Sequence, residues 1–213
     1  MPKETDALIT AVLAATPNAI VVNQSGMPVE MPWISKASTI VQAFFGGNET
    51  GNAIADVLFG KINPSSKLPV TFPAKLEDFP SHEGFGQAID TIYNEGIKVG
   101  YRYFDRAGGP RSLFPFGFGL SYTEFRFGNL TVKPTADYGA SVEVDVTNVG
   151  RVAGGEAVQV YVHDVSARVE RPEVELKGFT KVFLEPGETK RAKVSLDVRF
   201  NSFAHTLRTH SLT

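Results

Sequence analysis

Val142-Glu143-Val144-Asp145-Val146-Thr147 is the stretch that decides the fold of the second half of the chain. Valine alternates with an acid or a hydroxyl, and successive side chains of a strand point to opposite faces. One face is therefore apolar and the other wet, the mark of a half-buried strand. After turn residues at Asn148-Val149-Gly150 and Gly154-Gly155, Ala157, Val158, Val160 and Val162 predict the next strand. Leu176–Leu184 and Lys190–Val198 predict two more, parted by the turn Glu185-Pro186-Gly187-Glu188. Short strands spaced by Gly/Pro turns, with no helix between them, predict an all-β sandwich of immunoglobulin or fibronectin III type over residues 126–213.

Working outward toward the start, the pattern changes. Ala7, Leu8, Ala11, Val12 and Ala15 recur at helical spacing and predict a helix over 4–15, stopped by Thr16-Pro17. Ala19-Ile20-Val21-Val22-Asn23 is a short continuous apolar run, which suits a parallel strand covered on both faces. A short helix is expected near Ser35–Ala37, and Thr39–Phe45 reads as a second strand. Asn52–Phe59 has helical spacing, and Leu68–Pro73 is extended, confined by its prolines to an edge. The order α-β-(α)-β-α-β predicts part of a doubly wound α/β layer, whose sites lie beyond the C-terminal ends of the strands. Those ends are the loops 23–28 and 46–51. Residues 74–125 are rich in aromatics and glycine and read as a packed connector, completing a first unit over 1–125.

The bulk properties narrow the function classes. A formal net charge of -2 supplies no basic field for nucleic acid and no polybasic membrane patch. No apolar run approaches the roughly 18 residues that a membrane-spanning helix needs. The absence of cysteine removes disulfide and thiolate chemistry. Met1-Pro2-Lys3-Glu4-Thr5 has no charged segment leading into an apolar one, so it does not read as a signal peptide. Localisation is left open.

Five motifs follow one another along the first half: Val21-Val22-Asn23-Gln24-Ser25-Gly26-Met27-Pro28-Val29-Glu30-Met31-Pro32-Trp33, Gly46-Gly47-Asn48-Glu49-Thr50-Gly51-Asn52-Ala53, Asn63–Pro73, Gly100–Asp105 and Phe114–Tyr122. In this order they resemble the second domain of fungal-type family 3 glycoside hydrolases of the β-glucosidase kind. Glu175-Leu176-Lys177-Gly178-Phe179 and Leu184-Glu185-Pro186-Gly187-Glu188 are similar to that family's fibronectin III-like module. The resemblance implies retaining hydrolysis of terminal β-D-glucosyl residues by two carboxylates roughly 5 Å apart, with no cofactor. It also implies a β-glucoside or oligosaccharide substrate and a role in polysaccharide breakdown. In the family the nucleophile is an Asp of an N-terminal barrel, and the acid/base Glu lies just upstream of the residues matching Met1. By that implication neither catalytic carboxylate is in this chain, which is expected to be inactive alone and to need the barrel as its structural partner. The end, Phe200–Thr213, departs from the family's last strands. It reads as a truncated or frame-shifted coding sequence that leaves a sandwich edge unpaired.

Glu49 is the strongest candidate acid, placed after two glycines at a strand end; the alternative is a carboxylate at a helix N-terminus, favoured by the macrodipole. Trp33 could stack on a pyranose face or anchor its proline-rich loop to the core. Arg102 is expected to pair with Asp105 or Glu95. His82, His163, His205 and His210 lack metal-ligand spacing. Of three glycosylation sequons, at Asn23, Asn48 and Asn129, only Asn129 reads as accessible. Beside the glycosidase reading stand a non-catalytic carbohydrate-binding or interaction module, a family 3 β-xylosidase, and a product that does not fold.

Overall fold

The structure is a computed structural model in which residues 2–82, 84–86, 89–90, 92–135 and 139–197 are described, together with the backbone of 206–208. Helix α1 (Lys3–Ala15) carries Glu4 and Asp6 in its first turn, where the macrodipole favours acids. It ends as Thr16 turns extended ahead of Pro17. Its inward face buries Leu13 in a cluster with Met31, Trp33 and Phe72. Strands β1 (Ile20–Asn23) and β2 (Thr39–Gln42) pair in parallel, with Ile20 opposite Thr39 and Asn23 opposite Gln42. The link between them contains a 3-10 turn at Ile34–Lys36.

Strand β2 stops three residues before the expected end at Phe45. Phe44 sits at φ 51, in the left-handed region, and a strand cannot continue through it. A 3-10 turn over Gly47–Glu49 then feeds helix α2 (Thr50–Leu58). The third extended segment shortens to β3 (Phe72–Pro73) and joins an antiparallel ribbon with β4 (Ser112–Phe114), leaving β1 and β2 as a separate pair. The Phe72 and Phe114 rings meet edge to face at 6.4 Å across that ribbon.

The second half is the predicted sandwich. Strands β5 (Phe125–Pro134), β6 (Ala140–Asn148) and β9 (Thr189–Leu196) form one antiparallel sheet in the order β5-β6-β9. The other runs β10-β7-β8, built from β7 (Gly154–His163), β8 (Glu175–Leu184) and β10 (Thr206–Arg208). Between the sheets Val142, Val144, Val146, Val158, Val160 and Val194 are all buried, as the period of two requires. Each buried valine of this kind contributes roughly 1.5–3 kcal/mol. The expected open edge at the end of the chain is corrected in part. Backbone at 206–208 pairs antiparallel with Tyr161–His163, because any extended segment can satisfy a strand's free N–H and C=O groups. The rest of the divergent stretch, 200–205 and 209–213, lies outside the described residues.

The connector joins the halves through aromatic and polar contacts. Gly100 at φ 64 opens the short helix α3 (Tyr101–Phe104). Tyr101 stacks on Phe116 at 4.7 Å and meets Tyr161 of β7 edge-on at 6.1 Å, and its hydroxyl accepts the Leu176 N–H of β8 at 2.8 Å. The sequence expectation for Arg102 is a partner inside the connector, Asp105 or Glu95. Its ion pair, at 3.1 Å, instead reaches across to Glu175 of β8.

Candidate functional site

The C-terminal ends of β1 and β2 carry a fixed polar cluster. Asn23, the last residue of β1, is buried and donates to Gln42 Oε1 at 2.6 Å and to Ser25 Oγ at 3.1 Å. Gln42, the last residue of β2, returns a bond from Nε2 to the Ser25 carbonyl at 3.2 Å. The Ser25 hydroxyl donates in turn to the Met27 carbonyl at 2.8 Å. The loop over 23–27 is thereby tied to both strand ends, in the position where open parallel sheets place ligands. Asn23 is buried in this cluster, so its amide is not offered at the surface as a glycan acceptor, whereas Asn48, in the turn after β2, is exposed, which corrects the expectation that only Asn129 is accessible.

The second loop supplies the exposed groups. Glu49 occupies the N-cap position of α2, but its side chain makes no capping bond to the backbone. Its Oε2 accepts from Asn52 Nδ2 at 2.6 Å, and the carboxylate is open to solvent. An amide partner holds this acid in place without supplying the second carboxylate that retaining hydrolysis requires. The turn itself is held by Thr50, whose hydroxyl donates to the Gly47 carbonyl at 2.7 Å.

The Trp33 expectation divides cleanly. The ring is 2% exposed within the α1 cluster, and its Nε1 donates to Asp6 Oδ1 at 3.0 Å. With no free face, the indole anchors its loop to α1 and presents nothing for stacking. Another aromatic, which the sequence reading counted only as a strand residue, stands at the site. Phe45 is 78% exposed and follows the left-handed Phe44. A Cβ built on Gly26 would fall 2.5 Å from Phe45 Cε2, so the ring lies directly against the backbone of the neighbouring loop. The available sequence signal was an aromatic immediately before a Gly-Gly turn at a strand end.

Asn129 lies far from these loops in sequence, on β5, exposed and at φ 50 where the β5–β6 register shifts. Its Nδ2 donates to Asp145 Oδ2 at 2.8 Å. Arg191 donates to the Asn129 carbonyl at 2.6 Å, to Asp145 Oδ1 at 2.9 Å and to Thr131 Oγ1 at 2.6 Å. The Asn129 bond and then the Arg191 guanidinium hold the Asp145 carboxyl below its ordinary range. In the packed interior, burial pushes the Tyr161 hydroxyl far above the usual phenol range, and its proton goes to Gln159 Oε1 at 2.6 Å. Among the described residues no group of three His, Asp or Glu side chains could hold a metal ion. His163 contacts the Glu173 carbonyl, while His205 and His210 lie outside the described residues.

Comparison with known proteins places this geometry in a family. The glycosyl hydrolase family 3 C-terminal domain matches residues 1–122, and the fibronectin type III-like domain matches 156–210. A probable β-glucosidase I from Aspergillus flavus is 48% identical over 206 residues, covering 92% of this chain. The thermostable β-glucosidase B of Acetivibrio thermocellus is 49% identical over 210 residues, covering 97% of it. The chain spans only 24% and 28% of those two relatives. The crystal structure of a Kluyveromyces marxianus β-glucosidase superposes with a TM-score of 0.88 at 48% identity, over 93% of this chain and 24% of that one. A β-glucosidase from Streptomyces venezuelae, solved with D-glucose, gives 0.89 at 37% identity, over 98% of this chain and 28% of that one. The chain belongs to glycosyl hydrolase family 3, carrying that family's C-terminal α/β domain and a fibronectin type III-like sandwich.

Proposed function

We propose that this chain serves a retaining β-glucosidase as the wall and brace of its sugar pocket rather than as the source of its chemistry. The loops beyond β1 and β2, with Glu49 at their rim, form the wall. The connector and sandwich hold that wall in place through Tyr101, the Arg102–Glu175 pair and an ion pair at 3.1 Å between Lys67 and Glu156 of β7. Retention requires two carboxylates roughly 5 Å apart, one to attack the anomeric carbon and one to move protons to and from the glycosidic oxygen. Glu49 is hydrogen-bonded to an amide, and it serves in binding, its carboxylate accepting a hydrogen bond from a sugar hydroxyl. Substrates are terminal β-glucosides or their oligosaccharides. Residues 1–125 form one unit and 126–213 the other, with Asn129 on the second as the candidate glycan acceptor.

The observation that supports this reading most is the 48% identity to a β-glucosidase, carried through both halves of the chain. The test is hydrolysis of an aryl β-glucoside by the purified chain, beside Glu49→Gln, with circular dichroism to establish that both are folded. Neither protein is expected to turn over. Hydrolysis by the parent chain that Glu49→Gln abolishes would put the acid/base on Glu49 and overturn the proposal.

A further inference from the structure

We infer that Phe45 is the aromatic platform of the sugar-facing wall, stacking on the apolar face of a β-linked glucosyl unit; the inference rests on the function proposed above. Four features converge on this ring. It stands beyond the C-terminal end of β2, beside the β1 loop, where a parallel sheet presents its ligand contacts. Phe44 adopts φ 51, a conformation that a bulky side chain avoids unless its surroundings impose it, and the consequence is to turn Phe45 outward. The ring rests against Gly26, where an added Cβ would meet Cε2, Cδ2 and Cζ at 2.5, 3.2 and 3.3 Å. Glycine at that point lets the ring seat against the backbone, so its orientation is set before any ligand arrives. The Asn23–Ser25–Gln42 cluster fixes the loop beneath.

The chemistry around the ring fits a pyranose. The axial C–H groups of a β-glucosyl unit form an apolar face, and its hydroxyls form a polar rim. Phe45 offers an apolar surface with no polar handle, and the exposed Asn48 and Glu49 follow within four residues to meet the rim. Phe59 and Phe85 are also strongly exposed in this half, at 89% and 76%, but Phe59 lies past the C-terminal end of α2 and Phe85 in the connector, away from the strand ends in sequence.

Saturation-transfer NMR on the full 213-residue chain with cellobiose tests the inference, with maltose as the α-linked control. The parent chain is expected to pass saturation to the sugar ring C–H protons from its aromatic resonances, more strongly to cellobiose than to maltose. Phe45→Ala should weaken cellobiose binding about fivefold, equivalent to about 1 kcal/mol at 1.4 kcal/mol per tenfold. Phe45→Trp should retain binding, and Gly26→Ala, which displaces the ring without removing it, should weaken it. If the parent chain binds cellobiose and Phe45→Ala binds equally well, the platform is elsewhere and the sugar-wall function survives. If the folded parent chain passes no saturation to cellobiose, the sugar-wall function fails and this inference fails with it.

Discussion

Asn148 shows how much a single side chain decides. It is 0% exposed, and all its hydrogen-bonding groups are used. The amide nitrogen donates to the Val152 and Leu184 carbonyls at 2.8 and 3.1 Å. The amide oxygen accepts from Thr123 Oγ1 at 2.7 Å and from the Gly150 N–H at 3.1 Å. Asn148→Ala strands several of these groups in a dry site and should lower the unfolding free energy by about 3 kcal/mol in urea titration. A second residue-scale prediction concerns acid. The Asp145 carboxyl is held low by Asn129 and Arg191, and that of Glu188 by the Glu185 N–H and then Lys190. A depressed carboxylate contributes stability above its unfolded value, and that contribution disappears as pH falls through its folded value. The urea midpoint should therefore drop below about pH 4, and Asp145→Asn should flatten that drop while leaving the acid limb of Glu188. Neither residue was legible beforehand. Asn148 read as a turn residue because its partners at Thr123 and Leu184 are distant in sequence, as is the Asp6 that accepts the Trp33 indole N–H.

Elements were legible where one face meets the core and the other meets water. The alternation in β6, β7 and β9 gave their positions to within a few residues, since burial on one side leaves a period of two in the sequence. Strand β5 left no such trace. Gly128 and Asn129 interrupt its pattern, and the register shifts there. The ribbon of β3 and β4 is too short for any period, and β2 ends where Phe44 turns left-handed, which no side-chain pattern encodes. Strand β8 carries an irregularity of its own. Opposite Val160 and Tyr161 its partners skip from Gly178 to Leu176, leaving Lys177 as the extra residue of a bulge. Beside the bulge, Gly178 faces the other sheet so closely that an added Cβ would stand 2.5 Å from Val194 Cγ1 and 3.0 Å from Leu196 Cδ2. Gly178→Val should wedge the sheets apart at a cost of about 2 kcal/mol, read as a lower urea midpoint with an unchanged slope. The loops beyond β1 and β2 were legible as the place of the site, because parallel strand order alone predicts it. Which aromatic faces outward there was not, since that depends on Gly26 lying under Phe45.

At the scale of the whole molecule, three ion pairs among the described residues join the first half to the sandwich, the outermost being Lys98 with Glu170 at 2.6 Å. Lys67 and Glu156 meet at 3.1 Å with side chains only 19% and 12% exposed, and Lys67 also donates to the Gly119 carbonyl at 2.9 Å. Arg102 and Glu175 form another pair. Removing one member of the inner pair leaves its partner's charge out of water, so Lys67→Met should cost about 3 kcal/mol. The double change Lys67→Met with Glu156→Leu should recover most of that loss, as measured by calorimetry of the intact chain. If these contacts make the two halves one cooperative unit, the parent chain should melt in a single transition, and Lys67→Met should split it. The buried indole supplies an optical means of seeing this. Trp33 is the one tryptophan in the chain, and its ring reports only on the seat of α1, while the sandwich emits nothing comparable. Its emission should be blue in the native protein and shift red as α1 lifts away, and far-ultraviolet dichroism records the β-sheet at the same time. Coincident curves mean that the first helix and the last sheet let go together, and a red shift that runs ahead means the molecule opens from its beginning.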